Sequence, residues 1–376
     1  MIPSTYRSSR LKINLDAIDF NIKEEIKRLN SSQTLYAVVK ANGYGHGAVA
    51  TAKTAIKAGA RGLCVSNLNE ALELREAEIK EPIIVLSYVE IEYINKAIQH
   101  DITLTATSLE WLMLLDKKVK SPIKIHLKID TGMGRIGLRE ESEMKEAKKI
   151  LENNPLIEFE GIFTHFSKAD SQDFSYVELQ KKRFVNALDI FGREMKYIHT
   201  SNSATALWHG AWESNLIRFG DAMYGMNPSG NELEEPFKLK QALSLETKII
   251  HIKKLPRGEK IGYGATYETL ESEWIATLPI GYADGLVRDF QGFHVLVDGK
   301  KCPIVGRICM DQCMIRLDQE YKTGTIVTIF GENKGTFNSI QSGAEFVKTI
   351  NYEITCGLTD RLPRIYIKNG QEVELN

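Results

Sequence analysis

Val38-Val39-Lys40-Ala41-Asn42-Gly43-Tyr44-Gly45-His46-Gly47 is the stretch from which the fold is read. An apolar run, Leu35 to Val39, has the length and composition of a buried strand. It ends on a lysine, and three glycines follow at Gly43, Gly45 and Gly47 before a helical pattern begins. Desolvation at such a place disfavours the ammonium form, which is how a lysine becomes a nucleophile toward aldehydes. Glycines there let the backbone approach a ligand closely. A strand-end lysine snorkelling to solvent beside an ordinary turn fits the same residues. The rest of the chain decides between these.

Outward from this stretch, short apolar runs alternate with helical patterns. After Leu11–Leu15 and a helix for which Asp16 looks like the N-cap, strand-like runs fall at Gly62–Val65, Ile83–Leu86, Ile102–Thr105, Ile123–Ile129, Ile157–Phe163, Tyr197–His199 and Ile217–Phe219, with helices between them. Repeated strand–helix units imply a parallel sheet. About eight of them in this length favour a closed (β/α)8 TIM-like barrel over an open sheet. After Gly230 the texture changes. A polar, acidic linker gives way to short alternating runs separated by turn signals such as Pro256-Arg257-Gly258, the pattern of a mainly β domain. The expected division is a barrel over residues 12–235 and a mainly β C-terminal domain over 236–376, joined by 1–11.

Composition narrows the partners. In 376 residues, 43% hydrophobic and 26% charged, the formal net charge is −1. That balance argues against nucleic acid or an anionic membrane as a bulk partner. No apolar stretch has the length of a membrane span, and the first ten residues lack the apolar core of a signal peptide. Five scattered cysteines suggest reduced thiols and a cytoplasmic setting. Cys309 and Cys313 have no paired motif beside them, so no metal is expected.

In a barrel, chemistry sits at the carboxyl ends of the strands. Here those ends carry Lys40, then Lys128 to Arg135, then Thr164-His165-Phe166, then His199 to Ser203, then Arg218-Phe219-Gly220. Any one polar loop is unremarkable, but five on one face are hard to attribute to solvation. Ser203 opens a helix, where a hydroxyl and backbone N–H groups suit a phosphate, although taken alone it reads first as an ordinary helix cap. Gly220 offers another N–H near the last strand. A lysine able to form a Schiff base beside a phosphate cradle suggests pyridoxal 5'-phosphate.

With those residues in hand, the chain resembles the alanine racemases. The lysine motif, Lys128 to Arg135, Thr164-His165-Phe166, Asn202-Ser203-Ala204, Arg218-Phe219-Gly220, Gly262-Tyr263-Gly264-Ala265-Thr266-Tyr267, Pro279 to Gly285, Gly306 to Gln312 and Tyr352-Glu353 follow in family order along nearly the whole chain. The Tyr263 and Cys309–Asp311 motifs are the more specific, because other pyridoxal phosphate barrels share the lysine. The resemblance implies an isomerase that interconverts L- and D-alanine by two bases, Lys40 and Tyr263, and supplies D-alanine for peptidoglycan. His165 bonds the tyrosine in this reading, and Arg218 faces the pyridine nitrogen. Arg135 bonds the cofactor's phenolic oxygen and lies near the substrate carboxylate. Tyr44, Ser203, Gly220 and Tyr352 match phosphate contacts. Met310 matches a backbone N–H that holds the substrate carboxylate, and Tyr282 with Tyr352 matches a constriction at the entrance. Lys128 matches a position carbamylated in some relatives, and either a plain or a modified lysine fits the sequence. The resemblance further implies a homodimer with shared active sites. A broader racemase, for serine for example, shares the scaffold; a non-catalytic pyridoxal phosphate carrier shares the lysine but lacks the second domain.

Overall fold

The computed structural model describes residues 2–374. Residues 1, 375 and 376, which belong to the expected second domain, lie outside the described residues. The chain forms two compact units. One holds Ile18–Gly43 and Ala48–Leu239; the other holds the residues up to Ala17, Tyr44–Gly47 and the residues from Lys240 onward.

The first nine strands in chain order are β1 (Arg10–Asn14), β2 (Thr34–Val38), β3 (Gly62–Val65), β4 (Ile83–Val85), β5 (Ile102–Ala106), β6 (Ile123–Lys128), β7 (Ile157–Phe163), β8 (Tyr197–His199) and β9 (Leu216–Phe219). Eight of them, β2 to β9, make one parallel sheet in the order β8-β7-β6-β5-β4-β3-β2-β9. Its two ends meet. The Asn215 N–H donates to the Ile198 carbonyl at 3.0 Å and the Arg218 N–H to the Ser201 carbonyl at 3.0 Å, which draws the sheet into a nearly closed barrel. Strands covered on both faces read as near-continuous apolar runs, and Gly62-Leu63-Cys64-Val65 is buried along its whole length. The helix Ala48–Ala58 buries Ala50, Ala52 and Ala55, small side chains that allow close helix–sheet packing.

The second unit is built on a sheet of eleven strands. Here β1 pairs antiparallel with Leu243–Lys248 and parallel with Arg364–Lys368. Residues 12–14, expected in the barrel, therefore belong to this sheet, because ladder hydrogen bonds to strands more than 200 residues away outweigh chain proximity. An aromatic cluster of Phe290, Phe293, Phe330 and Phe346 packs with ring centroids 5.3–6.0 Å apart, mostly in the edge-to-face arrangement that the ring quadrupole favours.

Two local expectations change. The helix after β1 starts at Leu15, and the side chain of Asn14, not Asp16, accepts from the Ala17 N–H at 3.1 Å. Gly45 and Gly47 permit close approach, but to the chain itself. A Cβ on Gly45 would lie 2.2 Å from the Thr355 carbonyl oxygen, and one on Gly47 would lie 2.0 Å from the Tyr366 hydroxyl. Among the described residues, no helix is long and apolar enough to cross a membrane.

Candidate active site

The strand ends of the barrel unit enclose a cavity of about 150 Å³. Lys40 follows β2, Ser66 follows β3, and Leu86 and Ser87 follow β4. Lys128 ends β6, Arg135 and Ile136 come from the loop beyond it, Phe163 ends β7, His165 follows, and Arg218 comes from β9. Four of these residues are basic and none is a carboxylate. Basic side chains gathered in a small space suit an anionic guest. A roomier cavity, about 470 Å³, opens elsewhere on the unit, but there Arg139 and Arg183 face Asp130, Glu140, Glu141 and Asp189. Chemistry, not size, picks out the strand-end cavity.

Arg218 is the centre of the arrangement. It is 3% exposed, and its hydrogen bonds go to neutral acceptors. Nη1 donates to His199 Nδ1 at 2.8 Å and to the His199 carbonyl at 3.0 Å. Nη2 donates to the Thr164 carbonyl at 2.9 Å and faces His165 Nδ1 at 3.4 Å. Burial lowers its pKa to about 10, so it remains a cation at neutral pH. A guanidinium can only donate, and that fixes the tautomers behind it. His199 accepts at Nδ1 and so carries its proton on Nε2, which donates to His126 Nδ1 at 2.8 Å. His126 then carries its proton on Nε2, a buried atom with no hydrogen-bond partner among the described residues. Burial holds all three histidines neutral, with Arg218 adding to the effect: His126 falls to about 3, and His165 and His199 fall well below their ordinary value. Phe163 stacks on His199, centroids 4.5 Å apart, with the Arg218 guanidinium 5.4 Å and Lys128 Nζ 5.8 Å from its ring centre.

Lys128 is 2% exposed. Nζ donates to the carbonyls of Ile129 at 2.8 Å and Ile136 at 3.2 Å. Burial pushes its pKa down to about 7, against the pull of Asp130. Asp130 in turn accepts from the N–H groups of Gly132 and Gly134, both at 3.0 Å, and so shapes the loop that presents Arg135. Gln180, fully buried on the helix Ser175–Phe191, ties the His165 carbonyl and the Thr131 hydroxyl together, each at 3.1 Å.

At the ends of β8 and β9, the Ser203 hydroxyl accepts from the Gly220 N–H at 2.9 Å. Ser203 is therefore not the helix cap. Asn202 is, with its side chain accepting from the Thr205 N–H at 2.9 Å. The neighbouring Ser201 hydroxyl is buried without a partner among the described residues.

In the β-rich unit, Tyr44 and Tyr352 lie together with ring centroids 5.9 Å apart. Tyr263, Tyr282 and Met310 are exposed, Tyr263 at 71%. Their loops interlock. Gly264 packs on the Arg307 guanidinium, and a Cβ on Gly281 would lie 2.2 Å from the Cys309 carbonyl oxygen. The N–H groups of Tyr282 and Ala283 donate to the carbonyls of Cys309 and Met310 at 3.1 and 3.0 Å. Asp284, wholly buried, anchors this corner through Arg7 at 2.8 Å and Arg361 at 3.4 Å. The predicted residues thus fall into four groups: Lys40, Lys128, Arg135, His165 and Arg218 around one cavity; Ser203 with Gly220; Tyr44 with Tyr352; and Tyr263, Tyr282 and Met310, exposed on interlocking loops. Sequence reading missed His126 and Gln180. The period of a strand could have found His126, which shares a face of β6 with Lys128. Gln180 carries no such signal.

Residues 13–228 match the family described as alanine racemase, N-terminal domain, and residues 242–366 match alanine racemase, C-terminal domain. The chain belongs to the alanine racemase family. It is 50% identical over 374 residues to an alanine racemase of Pediococcus pentosaceus, covering 98% of this chain and 99% of that one. The structure of alanine racemase from E. faecalis is similar with a TM-score of 0.96 at 49% identity, covering 98% of this chain and 100% of the other. That of the Bacillus anthracis alanine racemase, with bound L-Ala-P, has a TM-score of 0.94 at 45% identity, covering 98% and 97%. Alanine racemases are isomerases that use pyridoxal phosphate. The barrel-unit cavity fits such a group: it gathers a primary amine able to condense with an aldehyde, Lys40, and two guanidinium groups, Arg135 and Arg218, that can donate to acceptor atoms.

Proposed function

We propose that this chain is an alanine racemase that interconverts L- and D-alanine with pyridoxal phosphate. The observation that carries the reading is the carboxylate-free cavity in which Lys40 shares the space with Arg218, a guanidinium fixed by neutral partners. Bound pyridoxal phosphate supplies an electron sink that acidifies the α C–H of an amino acid. Lys40 would hold its aldehyde carbon, Arg218 its ring nitrogen, Arg135 its phenolic oxygen, and Tyr44, Ser203, Gly220 and Tyr352 its phosphate. Because Arg218 can only donate, it would face an unprotonated ring nitrogen and add no proton to it.

Racemisation needs a proton taken from one face of Cα and returned on the other, so two bases are the direct solution. Lys40 Nζ serves one face and the Tyr263 hydroxyl the other. A phenol is a poor base unless its anion is stabilised. His165, neutral with Nδ1 turned to Arg218, keeps its proton on Nε2, where it can be donated to the phenolate oxygen. Met310 holds the substrate carboxylate through its backbone N–H, and Tyr282 limits substrate size. Lys128, with a pKa near 7, has the neutral amine needed to add carbon dioxide. The N–C bond forms, a proton leaves, and the resulting carbamate orients Arg135. The barrel unit supplies Lys40, Arg135 and Arg218 for the cofactor, and the β-rich unit carries Tyr44, Tyr352 and Tyr263. The working form is a cytoplasmic homodimer in which Tyr263 and Met310 of one copy complete the site of the other, and its product feeds peptidoglycan.

The test is L-alanine in heavy water with the loaded enzyme. Deuterium at Cα in both enantiomers, together with D-alanine formation that Lys40→Ala abolishes, supports the reading. A protein that binds the cofactor at Lys40 yet exchanges nothing overturns it.

A further inference from the structure

We propose that Glu70 is a positioning residue for Lys40, its carboxylate pinning the left-handed turn into which the lysine leads. Glu70 lies in the first turn of the helix Leu68–Glu76. It forms the reciprocal cap with Asn67: the Asn67 side chain accepts from the Glu70 N–H at 3.0 Å, and Glu70 accepts from the Asn67 N–H at 3.4 Å. A helix cap is complete with those two bonds. The carboxylate has two further and shorter ones. Oε2 accepts from the Ser66 N–H at 2.7 Å, and Oε1 accepts from the Ala41 N–H at 2.8 Å, from a residue 29 positions away. One side chain therefore joins the residue after Lys40, at the end of β2, to the first residue after β3. Ser66 and Lys40 both line the strand-end cavity.

The turn that Glu70 holds is one the chain resists. Ala41, Asn42, Gly43 and Tyr44 have φ of 52°, 52°, 60° and 52°. The left-handed region crowds a Cβ against the following carbonyl oxygen, and only one of the four is glycine. Such a turn persists where its surroundings over-determine it. Gly43 N–H donates to the Val39 carbonyl at 2.8 Å, and the Asn42 side chain accepts from the Ala48 N–H at 2.9 Å. At Ala41, adjacent to the lysine, the hold comes from Glu70. A carboxylate suits this because both oxygens accept, whereas a glutamine presents one acceptor and one donor to the same two N–H groups.

This inference rests on the reading of Lys40 as the cofactor-bearing base, so its test is built to separate the two. Glu70→Gln and Glu70→Asp disturb the Ala41 contact, the second by shortening the reach. Asn67→Ala removes the cap and leaves that contact in place. Each full-length variant is measured for racemisation and, in a second readout, for the rate at which the cofactor-free protein is trapped at Lys40 by pyridoxal phosphate and borohydride, followed by mass spectrometry. For Glu70→Gln the expected result is a fall of about tenfold in kcat and in trapping rate, with KM for alanine held within about twofold, as misplacement of a reacting group produces. Asn67→Ala should lower the melting temperature like Glu70→Gln while leaving kcat and trapping within about twofold of the parent. Equal losses in Asn67→Ala would make Glu70 a cap and nothing more. Trapping at the parent rate in both Glu70 variants would overturn the proposal outright. A parent protein that is trapped at Lys40 but does not racemise alanine counts against the racemase reading alone, and the trapping comparison still decides the role of Glu70.

Discussion

Lys128 makes the acid–base behaviour of the barrel unit measurable. In the folded chain its pKa is about 7, against an ordinary 10.5, and burial is the main cause. Between those two values the unfolded chain binds the extra proton, so the barrel's stability rises with pH across that window and the full penalty is present below it. From pH 6 to pH 9 the displacement corresponds to a swing of about 2–3 kcal/mol. Lys128→Met keeps an apolar stem and removes the titration. It also leaves the carbonyls of Ile129 and Ile136 without their donor, a loss of about 1–3 kcal/mol that does not depend on pH. The assay is urea unfolding of the cofactor-free parent and variant at both pH values in buffer free of carbon dioxide, following tryptophan fluorescence, to which Trp111, buried in the barrel unit, contributes. The parent should gain about 2–3 kcal/mol relative to the variant between pH 6 and pH 9, with unchanged denaturant slope. Added bicarbonate should shrink the gain, because a carbamylated lysine no longer titrates as an amine. A difference between parent and variant that is constant with pH would refute the view of Lys128 as a buried, easily neutralised lysine.

Three further outcomes are expected. His126 has its folded pKa at about 3 against an ordinary 6.5, so its contribution is present above the ordinary value and is lost as pH falls toward the folded one; His126→Phe should flatten the acid loss of barrel stability by about 1 kcal/mol per pH unit, read from unfolding midpoints between pH 6.5 and pH 4. Arg218→Lys replaces a fork that reaches both His199 and Thr164 by a single ammonium; kcat/KM should fall at least about a hundredfold, and a steady-state assay in which it falls less than about fivefold would contradict the role given to the guanidinium. Ser203→Ala removes the hydroxyl assigned to the cofactor phosphate; cofactor affinity, measured by titrating pyridoxal phosphate against absorbance, should weaken by about tenfold, in line with the loss of one hydrogen bond to a charged group.

The barrel was legible in the sequence because buried parallel strands are short apolar runs at regular spacing, and because polar residues at their carboxyl ends stand out against them. Lys40, Lys128, Arg135, His165 and Arg218 could be placed around one opening on that ground alone. The second unit was legible from its change of texture, and the alanine racemase family from motifs that span both. What needed tertiary structure was everything set by partners distant in the chain. β1 looks like a barrel strand until its ladders to Leu243–Lys248 and Arg364–Lys368 are seen. The glycines after Lys40 look like a ligand cradle until Thr355 and Tyr366 are found against them. The left-handed turn at Ala41 has no local signature, since alanine does not favour it and its acceptor, Glu70, lies 29 positions along the chain. The tautomers of His199 and His126 follow from Arg218 only once folding has brought the three side chains within hydrogen-bond reach. Local sequence sets which segments are strands and which residues end them; contacts between strands set how those residues are protonated, aimed and held.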